Sequence, residues 1–158
     1  MTDKRHVTKL KNAILNPAWV CFTWFGMTAG VSLLATPVRF TAPTVTRAIG
    51  LDVGRVVFTA LNKAELAALI ILLIVVRASG RAQHWLAICG VLAFIVLLQS
   101  IWLLPELAAR ADMVVSGSEP PPSHLHTTYS TLELAKLVLL FGAGFFAITR
   151  DPLHAAGR

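Results

Sequence analysis

The chain has 158 residues, 56% of them apolar and only 14% charged, with a formal net charge of +6. Soluble domains carry about 25% charged residues, so this composition excludes a water-soluble globule and a disordered chain alike and defines an integral membrane protein. The positive balance would suggest nucleic acid in a soluble protein, but no nucleic-acid motif accompanies it, and basic loops facing anionic lipid explain it more simply.

A bilayer-spanning helix needs about 20 mostly apolar residues. The first such stretch is 17–36. No charge falls between Lys11 and Arg39, Asn16-Pro17 supplies an N-cap and an opening proline, and Pro37 marks the expected end. The basic residues Lys4, Arg5, Lys9 and Lys11 fit the start of a secretory leader, but the apolar stretch is of full span length and lacks a small-residue cleavage site. A retained span is therefore expected. An outer loop follows over 38–52, with a short amphipathic stretch at 45–49 expected to lie on the membrane surface.

The second span is 53–76, with Asp52 as its N-cap and Arg77 at its far end. The tight connection 77–81 forces an antiparallel pair with the third span, 82–104. In the second outer loop, 105–125, Pro105 either kinks the third helix or opens a short surface helix reaching Val115. The run 116–123, rich in Ser, Gly and Pro, must be extended and exposed. The fourth span is 126–148, stopped by Arg150 and Asp151-Pro152. The expected fold is all-α: one membrane domain of four transmembrane helices in an antiparallel bundle.

Lys and Arg outside the spans set orientation. With the N-terminus inside, the inner side carries Lys4, Arg5, Lys9, Lys11, Arg77, Arg81, Arg150 and Arg158, against Arg39, Arg47, Arg55 and Arg110 outside. This favours cytoplasmic termini in an inner membrane, although the first outer loop is itself basic. Trp19 and Trp85 toward the inner face and Trp102 toward the outer suit interfacial anchoring.

Four ionisable residues fall within the spans: Lys63 and Glu65, then Glu133 and Lys136. Such groups cost about 2.5–3.5 kcal/mol each near the bilayer centre, so they normally pair and face protein or water. Measured from Arg77 and Arg150 at 1.5 Å per residue, all four lie in one layer, about 18–25 Å from the inner boundary. At about 100° per residue, His126, Tyr129, Glu133 and Lys136 form one stripe; Asn62 and Glu65 share a face with Thr59 alongside. Lys63 points about 100° from Asn62. The expected cross-helix pair is Glu65 with Lys136, with Glu133 to Lys63 as a second only if the second helix sits between two polar neighbours; the net charge of the layer would be zero. The layer reads as a structural ion-pair cluster, as a site for a small ligand, ion or proton, or as charges of which some snorkel outward, Lys63 above all. Each half of the chain has a charge-free span followed by one bearing Lys and Glu, which suggests a parallel duplication.

Gly26 and Gly30 form a GxxxG in the first span and are expected to pack helices, within the bundle before a dimer; Gly142 and Gly144 offer a similar surface. His124 and His126 are a candidate ligand site at the outer face. Their i, i+2 spacing puts them on different helix faces and no third ligand is evident, so no metal, haem or other cofactor is expected. Cys21 and Cys89 read as small packing residues. No phosphate loop, nucleophile elbow or zinc-protease motif is present, so no enzyme is expected.

Several segments carry a family resemblance: the Gly26–Gly30 helix, Phe58-Thr-Ala-Leu-Asn62, Trp102-Leu-Leu-Pro105, and His126-Thr-Thr-Tyr-Ser-Thr-Leu-Glu133. Together they resemble the small four-span membrane family typified by transmembrane protein 205 and its bacterial relatives of unknown function. The resemblance implies a four-helix membrane bundle and no established reaction. Two functional expectations follow, the first preferred because a single four-span bundle offers little room for an alternating-access cycle. One is a non-enzymatic accessory or assembly subunit that binds other membrane proteins or its own copies through the GxxxG helix and outer loops. The other is a small carrier or ligand-binding protein that uses the intramembrane cluster.

Overall fold

The computed structural model describes residue 7 and residues 14–80 and 83–149. Among these, four helices are long and apolar enough to cross a membrane: α1 (Ala18–Arg39), α2 (Arg47–Ala78), α3 (Gln83–Val115) and α4 (Leu125–Thr149). Each helix packs against its chain neighbours and α1 closes the ring on α4, so α2 and α4 face each other across the bundle centre. Ser79 and Gly80 follow α2 at one end, here the turn end, where Gly80 takes the left-handed conformation (φ +61) that a side chain would resist. The 40–46 and 116–124 connections lie at the other, the loop end.

The spans stand where the apolar stretches place them, but three boundaries differ. First, α1 continues through Pro37 to Arg39. Pro37 cannot donate to the turn before it, and the helix accommodates this by widening to a π turn over Gly30–Ala35, in which the Thr36 amide reaches back to Val31. Second, α3 does the same. A π turn over Gln99–Leu103 precedes Pro105, and the helix continues to Val115, the end expected for a surface helix, but as part of α3 rather than of a separate outer loop. α1 and α3 thus share one construction, a π turn ahead of a proline. Third, α2 begins at Arg47, capped by the Thr46 hydroxyl, which accepts from the Ile49 amide. The 45–49 stretch therefore leads directly into α2 rather than forming a separate surface segment, and Asp52 lies within the helix, paired with Arg55 at 2.7 Å. The outer loop expected over 38–52 shrinks to 40–46. Asn16 opens α1 as expected, its side-chain oxygen accepting from the Ala18 amide.

The turn-end half is a dry core of Cys21, Leu72, Trp85, Cys89, Leu92 and Leu140. Both cysteines are free and buried, as packing residues. Trp85 is a correction: it is 2% exposed and fills the core, whereas Trp19 and Trp102 are about half exposed, as interfacial anchors should be. Its position two residues into α3 turns it inward. Gly144 brings α1 close to α4, since a Cβ there would lie 2.9–3.1 Å from the Phe22 ring. Gly26, Gly30 and Gly142 face open space, so the GxxxG of α1 does not pack within the bundle. The basic residues at 4, 5, 9, 11, 81, 150 and 158, on which the orientation depends, lie outside the described residues.

Candidate functional site

At the bundle centre, Lys136 of α4 lies 2.6 Å from Glu65 of α2 and 2.8 Å from Glu133, one turn away on its own helix. Its third contact is the side-chain oxygen of Gln99 in α3, at 2.9 Å. An ammonium has three hydrogens, and all three are used. Lys136 is fully buried, and Glu65 and Glu133 are nearly so.

Glu65 Oε1 also accepts from the Trp24 indole (3.0 Å) and the Thr28 hydroxyl (2.9 Å), both on α1. Glu133 accepts from the Ser32 hydroxyl (2.7 Å) at one oxygen and from the Gln99 amide (2.8 Å) at the other. Every helix therefore contributes to one network. Gln99 belongs to the π turn before Pro105, and Ser32 to the π turn before Pro37, so both proline accommodations supply a side chain to it. Buried ions are tolerated in lipid when geometry and accessory hydrogen bonds are this complete.

The expected Glu65–Lys136 pair is present and the Glu133–Lys63 pair is not. Lys63 is exposed on the bundle surface, because two residues along α2 from Glu65 it is turned about 200° away. It faces the lipid side, where its stem can carry the ammonium toward the loop-end boundary. The buried cluster thus holds two carboxyl groups against one amino group, a formal count of −1, with Lys63 outside it. Asn62 is buried beside the cluster but pairs with Ser100, its amide donating to Ser100 Oγ at 2.8 Å.

A cavity of about 510 Å³ adjoins the cluster on the loop-end side. Ser32 and Tyr129 line it next to the cluster. Ser32 is hydrogen-bonded to Glu133, and the Tyr129 ring stands edge-on to Phe58 at 5.5 Å. Leu104, Leu107 and Ala108 line one side, while Arg39, Arg55 and His126 stand toward the loop end of their helices. The two basic residues differ. Arg55 is held by Asp52 and Asp112. Arg39 makes no salt bridge among the described residues, and its Nε is buried without a hydrogen-bond partner.

Its guanidinium lies on Gly54, where a Cβ would come within 3.1 Å of both terminal nitrogens, and 5.1 Å from the Phe40 ring, which in turn lies on Gly50. Gly50 and Gly54 are a second GxxxG, and this is the one the fold uses to bring loop and helix together. The two histidines do not converge: His126 lines the cavity, and His124 is exposed with its backbone carbonyl accepting from Thr128. Among the described residues no group of three potential ligands is placed to hold a metal ion.

Sequence reasoning missed Trp24, Thr28, Ser32, Gln99 and Arg39. The first three recur at i, i+4 and i+8 along α1, a polar stripe visible at helical spacing in a span judged only by its lack of charge. No family model, curated protein or solved structure matches the chain.

Proposed function

We propose that this chain is a small ligand-binding membrane protein, non-enzymatic, which receives its ligand in the loop-end cavity and uses the Glu65–Glu133–Lys136 cluster as the polar floor behind it. One observation carries the reading: Ser32 belongs to both, lining the cavity and donating to Glu133. A cluster closed on all sides would favour a purely structural role. Here the open space reaches a residue bonded to one of its carboxylates. The volume falls within the range of roughly 300–1,000 Å³ typical of small-molecule sites.

The orientation that goes with this reading has both termini in the cytoplasm and the cavity at the outer side of an inner membrane, supported by the excess of Lys and Arg near the ends of the chain. Kinship with the four-span family that segments 58–62 and 126–133 resemble belongs to the same proposal.

The test is direct. Protein purified gently from its membrane should carry or bind a small molecule saturably at one per chain, and Ala108→Trp, which fills the cavity, should abolish that binding without unfolding the bundle. Undiminished binding to a folded Ala108→Trp variant would overturn the proposal.

A second reading, an accessory subunit that binds other membrane proteins or its own copies, is favoured by the open Gly26 and Gly30 surface of α1. Gly26→Leu with Gly30→Leu should then dissolve a complex seen by cross-linking in native membranes. A complex that persists would remove that reading.

A further inference from the structure

We infer that the cavity takes an amphiphile with one anionic head, a carboxylate or phosphate, whose apolar body lies along the cavity wall and whose head is held by Arg39. The inference deepens the ligand-binding proposal and rests on it.

The depth of the cavity suits an amphiphile. A hydrocarbon core of about 30 Å corresponds to about 20 helical residues. Counted from the turn end, 20 residues along each helix reach Val38 on α1, Leu103 on α3 and Tyr129 on α4; counted back from Arg77, they reach Val57 on α2. The cavity is lined by residues on both sides of that level, from Ser32, Thr59 and Tyr129 to Arg39, Gly54 and Ala111. Its space therefore straddles the boundary between acyl chains and head groups. A ligand there meets apolar walls on one side of the boundary and cations on the other.

The two arginines of the cavity differ in what already holds them. Arg55 is satisfied by two aspartates, so it offers little to a ligand. Arg39 is the cavity's uncommitted cation. Its position is not casual, because Gly54 removes the side chain that would displace the guanidinium, and Phe40 supports it from the other side. A planar fork of donors at a half-desolvated site matches carboxylate and phosphate, and such charge-assisted bonds are about twice as strong as neutral ones.

The wall suits the apolar body. Leu33, Phe58, Leu104, Leu107 and Ala108 offer an alkyl chain contact but no polar partner. Ser32 and Tyr129, next to the cluster, make one end polar and Arg39, Arg55 and His126 the other, while the Thr36 and Thr59 hydroxyls donate to carbonyls of their own helices. A small hydrophilic anion would leave those walls uncovered.

The experiment uses the full chain in nanodiscs of zwitterionic lipid and measures equilibrium binding of three labelled compounds: palmitate, hexadecanol and phosphatidate. Palmitate or phosphatidate should bind saturably, and hexadecanol at least roughly tenfold more weakly. Phosphatidate binding more tightly than palmitate identifies a bilayer lipid as the source; the reverse order identifies a free single-chain carboxylate. Arg39→Gln should weaken the anions by roughly tenfold while leaving hexadecanol unchanged, and Arg39→Lys should fall between. Arg110→Gln, outside the cavity lining, should match the wild type. If Arg39→Gln fails to fold, the comparison of palmitate with hexadecanol on the wild type still decides. Equal binding of acid and alcohol would overturn the inference and leave the ligand-binding proposal standing. No saturable binding of any of the three would overturn the inference, and the Ala108→Trp comparison on whatever molecule co-purifies then decides the broader proposal separately.

Discussion

The two halves of this bundle solve the problem of holding four helices together in opposite ways. The turn-end half is dry and apolar, with Trp85, Leu92 and Leu140 packed between helices and Gly144 letting α1 approach α4. The loop-end half packs less completely and relies on charge: one lysine at the centre holds two glutamates, and open space lies beside them. Lipid tails are as apolar as the core, so apolar packing in a membrane supplies shape complementarity but little solvent-driven force. A polar network gives a more specific contact, and each of its members becomes costly if left alone. The half that carries charge is therefore the half in which single substitutions should separate stability from function.

The largest effect should come from Lys136→Met. It removes the one cation, leaving two buried carboxylates facing each other, and should cost about 3–5 kcal/mol. Expression and melting temperature in mild detergent will read this as loss of folded protein. If Lys136→Met melts like the wild type, the cluster does not hold the bundle. Next comes Gly144→Leu, which drives a side chain into the Phe22 ring and should cost about 1–3 kcal/mol by overpacking, with no effect specific to ligand. Its double mutant with Phe22→Ala should recover most of the loss; failure to recover would place the close contact elsewhere.

Glu65→Gln and Glu133→Gln should each be milder than Lys136→Met, at about 1–2 kcal/mol. Either change leaves one carboxylate against one ammonium, and the amide oxygen still accepts from the α1 donors. The ordering matters more than the magnitude. Were either glutamine variant as damaging as Lys136→Met, the charge imbalance described here would be wrong. Lys63→Gln should be smallest, within about 0.5 kcal/mol, because its side chain is exposed and unpaired among the described residues. A large loss there would mean that Lys63 has a partner in the membrane.

How much of this was legible in the sequence varies from residue to residue. The four spans follow from the spacing of charges, and the Glu65–Lys136 pair follows from helical angles. The end of α1 does not, because Pro37 reads as a stop, and at Pro105 a kink and a new surface helix are both open. Each proline removes a donor, but the sequence does not say that a π turn will absorb the loss and keep the helix continuous. The Glu133–Lys63 pairing failed because charge balance was extended to a residue whose own helical angle turns it outward. Two glycine pairs make the same point. Gly26 and Gly30 carry the motif and pack against nothing within the bundle, whereas Gly50 and Gly54, at the start of a long helix, seat Phe40 and Arg39. The motif identifies a place where close approach is allowed; what approaches is decided by the neighbours.

The contrast between halves can be tested most directly with thiol chemistry. Cys21 and Cys89 lie in the dry half, 0% and 1% exposed, and serve as built-in controls. In a chain with both changed to Ala, Ser32→Cys and Thr36→Cys place a thiol on the cavity wall. The account predicts that a water-soluble thiol reagent modifies both engineered cysteines in the folded protein, is slowed by a saturating cavity ligand, and leaves Cys21 and Cys89 of the wild type untouched. If the engineered cysteines are as inert as Cys21 and Cys89, water does not reach the cluster and the account is contradicted.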